Sequence, residues 1–138
     1  MTKEEIEKFV SQCIVNNNPW TLRILSQEVF EKLSKSRQIL YLCCFGLLAP
    51  TTHNTVPQQF HITSSGLEIS LDEKSILPAS DPIGRQAQIS LGCVIKNIEI
   101  AGLYYGWKEN LTLNETPSNF PLRLELRANR FSGGELDF

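Results

Sequence analysis

The stretch from Asp81 to Gly106, DPIGRQAQISLGCVIKNIEIAGLYYG, carries a helical pattern over its whole length. Apolar side chains recur on one face of it: Ala87, Leu91, Val94, Ile95, Ile98 and Leu103. Asp81 suits the N-cap and Pro82 the first helical position, while Gly106 can close the helix. The stretch therefore predicts a long central helix over residues 82–105, with this apolar face in the core.

Three more helices are predicted on its N-terminal side, near residues 3–15, 20–33 and 36–48. Thr2 and Glu5 fit a capping box at the start of the first helix. The second is amphipathic, and its inward positions are Leu22, Leu25, Val29, Phe30 and Leu33. The third is almost wholly apolar after Ile39, so we expect it to be buried.

Short alternating runs predict strands near residues 58–63, 67–72 and 122–127. The first two flank Ser64-Ser65-Gly66 and are typical of a β-hairpin. The order α-α-α-β-β-α-β indicates an α+β domain in which helices pack on an antiparallel sheet. We assign residues 1–138 to one domain, with residues 1–35 as an N-terminal helical extension.

The composition excludes some function classes. The chain has 138 residues, 41% of them hydrophobic and 20% charged, and a net charge of −2. Neither a charge imbalance nor a long apolar run favours nucleic acid or a membrane as partner. The four cysteines show no metal-ligand spacing, so we expect no metal site and a reduced, cytoplasmic protein.

A polar loop precedes the predicted hairpin: residues 48–60 read LAPTTHNTVPQQF. Its hydroxyl and amide groups are either turn chemistry or the rim of a ligand site. We expect His53 to be a loop side chain rather than a catalyst, because no nucleophile motif accompanies it. No catalytic side chain is predicted. Arg127 and Arg130 form a compact basic pair behind the last strand, and arginine forks suit phosphate.

Three motifs resemble the nitroreductase family. Residues 49–60 are similar to its flavin-rim pattern A-P-S-S-x-N-x-Q-P-W-x-F. Residues 72–97 resemble the D-P-x-G-R and I-S-C-G-A-A-L-x-N elements of the Acg-type subgroup, and residues 127–131 resemble its R-x-N-R-x-x-F element. The resemblance covers residues 37–131 and implies a nitroreductase-like α+β fold.

The resemblance also implies a cofactor and its contacts. Members bind FMN, which takes a hydride from NAD(P)H and passes it to a nitro, quinone or other small acceptor. The residues that match the family's FMN-binding positions, or are candidates for its phosphate, are Pro50, Thr51, Thr52, Asn54, Arg85, Arg127 and Arg130. For Arg85 a solvated role is equally open, as it is for the two C-terminal arginines.

The chain departs from the family at positions that bear on activity. Val56 stands where members usually carry glutamine, and Gln58 and Gln59 stand where they carry tryptophan and a basic residue. The chain is also shorter than a whole family subunit. We therefore expect a homodimer, or part of a pseudo-dimeric longer chain, built around the 82–105 helix. Two alternatives to the enzyme remain: a protein that binds or sequesters flavin without turnover, and an interaction module that has lost the flavin.

Overall fold

The computed structural model describes residues 3–14, 18–63, 66–113 and 122–127 of the chain. The longest helix in these ranges, α4, spans Arg85–Tyr104. It ends where Gly106 adopts φ +76°, with Gly106 N donating to Leu103 O at 3.0 Å and Trp107 N donating to Gly102 O at 2.8 Å. These two bonds satisfy carbonyls that the helix end leaves without partners, and the turn requires a left-handed residue. The predicted role of Gly106 is confirmed.

The start of α4 differs from the prediction. Gly84, at φ +67°, is the N-cap, so the assignment of Asp81 as N-cap and Pro82 as first helical residue is wrong. Asp81 is buried, and its Oδ2 accepts a hydrogen bond of 2.9 Å from Ala87 N. The carboxylate thus satisfies an amide of the first turn from outside the usual capping position.

Helix α3, Lys35–Gly46, is buried along most of its length, as predicted. It crosses α4 at Gly46, where an added Cβ would stand 3.0 Å from Val94 Cγ1 and 3.1 Å from Ile98 Cδ1. The missing side chain therefore lets the two helices approach closely. Helix α1, Lys3–Cys13, packs on α3 and buries Phe9. Thr2, the predicted cap of α1, lies outside the described residues.

The sheet has four antiparallel strands in the order β1-β2-β4-β3. Their bounds are Gln58–Ile62 for β1, Leu67–Leu71 for β2, Lys108–Leu113 for β3 and Leu122–Arg127 for β4. Phe60 pairs with Ile69 in the predicted hairpin, and Ile69 in turn pairs with Leu122. The three predicted strands are confirmed, whereas β3 was not predicted.

The predicted helix over residues 20–33 is wrong. The segment contains a 3₁₀ turn, Pro19–Thr21, an extended stretch, and a short helix, α2, Gln27–Glu31. The extended stretch has partners elsewhere in the chain: Arg23 N donates to Cys13 O at 2.9 Å, and Leu25 N donates to the Tyr41 hydroxyl at 3.0 Å. Since its backbone groups are satisfied by these distant partners, the local helical pattern is overridden.

The helices and the sheet share one core. Its largest fully buried side chains come from α2, α3, β2 and α4: Phe30, Ile39, Tyr41, Leu42, Cys44, Leu67, Ile69, Leu91, Val94 and Ile98. Two inward assignments are wrong, because Val29 is 46% exposed and Leu103 is 45% exposed. The chain is an α+β protein with an antiparallel sheet, as expected. None of the helices in the described ranges has the length and apolar content to cross a membrane.

Candidate functional site

The polar loop between α3 and β1, residues 50–57, is called the rim loop here. It contains a 3₁₀ turn, Thr52–Asn54. Three of its non-glycine residues have positive φ: His53 at +50°, Asn54 at +57° and Val56 at +46°. Asparagine tolerates this region, but a β-branched residue there is strained. Strain concentrated in one loop is a common feature of ligand-binding segments.

The threonine hydroxyls hold the loop in this shape. Thr51 Oγ1 accepts a hydrogen bond of 3.2 Å from Val56 N, and Thr55 Oγ1 donates to Thr52 O at 3.1 Å. Thr52 Oγ1 donates to Gln86 Oε1 at 3.0 Å, which ties the loop to the first turn of α4. The three threonine hydroxyls of the loop therefore form hydrogen bonds within the protein, as the turn interpretation expects.

The base on which the loop rests is also polar. Gln86 Nε2 donates to Ser80 O at 3.2 Å, so the Gln86 side chain bridges the rim loop and the residues before α4. Thr52, Pro57, Asp81 and Ala87 contribute to the lining of a cavity of only about 10 Å³ beneath the loop. That volume is at the lower limit for one water molecule. A planar ligand would therefore have to lie on the exposed side of the loop.

The start of α4 contributes positive charge to this edge, part of which the buried Asp81 carboxylate offsets through its hydrogen bond from Ala87 N. The helix has 20 residues, so its dipole places a partial positive charge at the N-terminus. Arg85, its first residue, is exposed and adds a full charge. Thr52 is hydrogen-bonded to Gln86, which directly follows Arg85 in the chain. The rim loop and Arg85 therefore lie at the same edge of the molecule. Acceptor or anionic groups are favoured there.

The predicted site residues fall into two groups. Thr51, Thr52 and Asn54 lie at this edge with Arg85, and the exposed Pro50 leads into the loop. Asn54 is exposed, so its amide can reach a ligand. Arg127 ends β4, where its backbone pairs with Lys108. Its side chain and the whole of Arg130 lie outside what the structure describes.

Sequence reasoning missed the structural roles of three residues of this region. Gln86 connects loop and helix, yet a glutamine in a helix's first turn carries no signal of that role. The positive φ of Val56 was not foreseen, since valine is among the least suited residues for it. Gln58 is buried, and its Nε2 has no hydrogen-bond partner among the described residues. Such an amide is costly to leave unpaired, so Gln58 lowers the stability of this region.

A second feature lies toward the other end of α4. An apolar groove of about 370 Å³ is lined by Ile24, Phe45, Leu48, Asn97, Ile100, Ala101, Tyr104 and Tyr105. Two of these residues, Ile100 and Tyr104, form with Leu103 an exposed apolar surface, called here the outer face of α4. Ile89 is also exposed, but the charged Lys96, which pairs with Glu99, lies between it and Ile100 along the helix. Ile100 is 57% and Tyr104 63% exposed. Leu91 and Ile98, on the apolar face predicted for the 82–105 helix, are inside the core at 2% and 0% exposure, so a homodimer cannot be built on them.

Comparison with known proteins yields short matches to proteins without an assigned function. MT3212 and Rv3127, two uncharacterized proteins of Mycobacterium tuberculosis strains CDC 1551 and H37Rv, are each 33% identical to the chain over 75 residues. The match covers 51% of this chain but only 22% of each relative. No profile of a known protein family matches the chain. No solved structure matches it.

Proposed function

We propose that the chain is an FMN-binding oxidoreductase domain of the nitroreductase type, closest to the Acg-type subgroup. One observation carries the proposal. The hydrogen bond from Thr52 to Gln86, 3.0 Å long, places the rim loop against the start of α4. The two segments that resemble the family's flavin-binding motifs, far apart in sequence, thus form one edge.

The residues at this edge fit the polar rim of a flavin. The isoalloxazine ring is flat and offers carbonyl and imide groups, which short amides, backbone N–H groups and an arginine can pair. Asn54 and Arg85 are the exposed donors, and Thr51 and Thr52 position the loop that carries Asn54. FMN, when bound, would supply hydride-transfer chemistry between NAD(P)H and a nitro, quinone or other small acceptor. The chain's residues bind and orient.

The surroundings support the same placement. The cavity under the loop is too small for a ring, so the ring would lie on the outer side and need a second wall. We propose that this wall comes from a second copy of the chain, or from a further segment of a longer pseudo-dimeric chain. The exposed outer face of α4 is the surface that such a partner would cover.

Flavin binding is measured by absorbance between 350 and 500 nm, on purified protein with and without added FMN. We expect saturable binding that shifts the flavin bands. Asn54→Gly removes the amide while tolerating the positive φ of +57°, and Arg85→Ala removes the charge. Each should weaken FMN binding about tenfold, as expected for the loss of one good hydrogen bond to a charged or buried group.

Arg23→Ala is the matched control, because Arg23 is another exposed arginine that lies in the extended segment away from the rim loop. It should leave the FMN affinity unchanged. Absence of binding at saturating FMN would refute the proposal. Equal losses of FMN affinity in Arg23→Ala and Arg85→Ala would show that FMN does not bind at the edge formed by the rim loop and α4.

A flavin-binding protein without turnover is the second candidate, and one observation favours it. Gln58 is buried with its amide unpaired at the position where the family carries tryptophan. Stopped-flow mixing of the FMN complex with NADH and with NADPH separates the two functions. Rapid bleaching of the flavin band supports the oxidoreductase, whereas an unchanged band supports storage.

An interaction module without flavin is favoured by a different feature, the exposed apolar outer face of α4. Clear FMN binding in the absorbance titration would eliminate this third candidate.

A further inference from the structure

A polar pocket lies between α1 and the first turn of α3. It is lined by Lys8, Phe9, Gln12 and Arg37, and its volume is about 340 Å³. The rim loop follows the opposite end of α3, which has 12 residues. At 1.5 Å per residue the two ends of that helix lie about 18 Å apart. The pocket is therefore separate from the rim loop, and it does not depend on the function proposed for that loop.

The pocket carries two positive charges that the described part of the chain does not neutralise. Neither Lys8 nor Arg37 forms an ion pair with any described residue. The Arg37 guanidinium lies 5.9 Å from the centre of the Phe9 ring, and Phe9 is buried. This cation–π contact holds the charge at the pocket and leaves its N–H edges available. Glu4, one turn before Lys8, is exposed and also forms no ion pair with a described residue.

Helix α3 adds to the positive potential. Arg37 belongs to its first turn, and Ser34 at the N-cap makes no side-chain hydrogen bond to that turn. The first amides are therefore not capped by the serine hydroxyl, and the positive end of the helix dipole faces the same region. Gln12 contributes an amide, which can donate as well as accept.

From this combination we propose that the pocket binds the phosphate group of a small phosphomonoester. Such a group carries close to two negative charges at neutral pH and three acceptor oxygens. Two cations of different geometry match it: a guanidinium fork from Arg37 and a point charge from Lys8. A monocarboxylate would leave one cation unpaired. The volume exceeds that of a phosphate group, so the remainder of the molecule has space beside it.

The test is an NMR titration of the isotopically labelled full chain with inorganic phosphate, with ribose 5-phosphate and with acetate, at constant ionic strength. We expect saturable shifts of the Gln12 side-chain amide and the Arg37 Nε–H for both phosphates, with ribose 5-phosphate the tighter. Lys8→Gln and Arg37→Gln should each weaken binding at least about fivefold. Arg37→Lys keeps the charge without the fork and should fall between.

Lys35→Gln is the matched control, since Lys35 is an exposed cation two residues before Arg37 that does not line the pocket. It should bind as the unmodified chain does. Shifts that do not saturate would overturn the proposal. Equal weakening by Lys35→Gln and Arg37→Gln would also overturn it, because that would show general counterion attraction rather than a site. Acetate bound as tightly as inorganic phosphate would refute the ligand class.

Discussion

At the scale of single residues, Val56 is the most strained position described in the rim loop. Its φ of +46° is held by a hydrogen bond from its own amide to Thr51 Oγ1, 3.2 Å long. A β-branched residue in this region costs about 1–3 kcal/mol, which the rest of the fold must offset.

Replacing Val56 by asparagine or glycine should therefore stabilise the protein by about 1 kcal/mol, because both residues tolerate positive φ. Urea denaturation followed by circular dichroism measures the change. Ile83→Gly is the control: Ile83 is 78% exposed and is not among the residues with positive φ. At position 83, glycine should lower the free energy of unfolding. If Val56→Asn does not raise the free energy of unfolding above that of the unmodified chain, the positive φ of Val56 does not lower the stability of the protein.

Also at the residue scale, the thiols of α3 link stability to pH. Burial raises the pKa of Cys44 to about 12 and shifts the pKa of the adjacent Cys43 upward by an even larger amount. The unfolded thiols lose their protons near pH 9, whereas the folded ones keep them. Stability is therefore full below pH 9 and falls as the pH rises toward 12.

Between pH 8 and pH 10 the free energy of unfolding should fall by about 1 kcal/mol per buried thiol. Denaturation curves at each pH measure it, and Cys44→Val should remove one thiol's share of the slope. In a parallel alkylation experiment at pH 8, the half-buried Cys93 should react first. A flat stability profile to pH 10 in the unmodified chain would contradict the prediction.

At the scale of elements, the contact between α3 and α4 depends on one glycine. An added Cβ on Gly46 would press on Val94 and Ile98 in the core, whereas nothing lies within 4 Å of the same atom on Gly92 in the middle of α4. Gly46→Ala should destabilise by about 1–3 kcal/mol through overpacking. Gly92→Ala should stabilise by about 0.5–1 kcal/mol, because alanine is the better helix former. Thermal unfolding of the pair measures both, and a shift of the same sign in both variants would contradict the close packing.

The elements also show what could be foreseen from sequence. Helices α3 and α4 and the hairpin follow from local periodicity and turn residues, so they were predicted. The extended stretch after Thr21 could not be, because its partners, the backbone at Cys13 and the hydroxyls of Tyr41 and Tyr105, are distant in sequence. The candidate site shows the same limit. The motifs predicted Thr52 and Asn54 as site residues, but only the fold shows that Gln86 joins Thr52 to α4.

At the scale of the whole molecule, α4 has two apolar sides. One is in the core, through Leu91, Val94 and Ile98. The other, the outer face, leaves Ile100, Leu103 and Tyr104 exposed beside the apolar groove. Exposed apolar surface beside such a groove is a common feature of interfaces. A two-fold pair, with the same patch meeting itself, is the commonest closed solution.

We therefore predict that the chain forms a homodimer at tens of micromolar, and that Ile100→Asp gives a folded monomer because it places a charge in the interface. Light scattering measures the mass and circular dichroism the fold. Gln88→Asp, at an exposed polar position of the same helix, should remain dimeric. Leu91→Asp should unfold the protein instead of separating the dimer into folded monomers, since Leu91 is only 2% exposed within the single chain. A monomer mass for the unmodified protein would rule out self-association through this face, and dimers of Ile100→Asp would place the interface elsewhere.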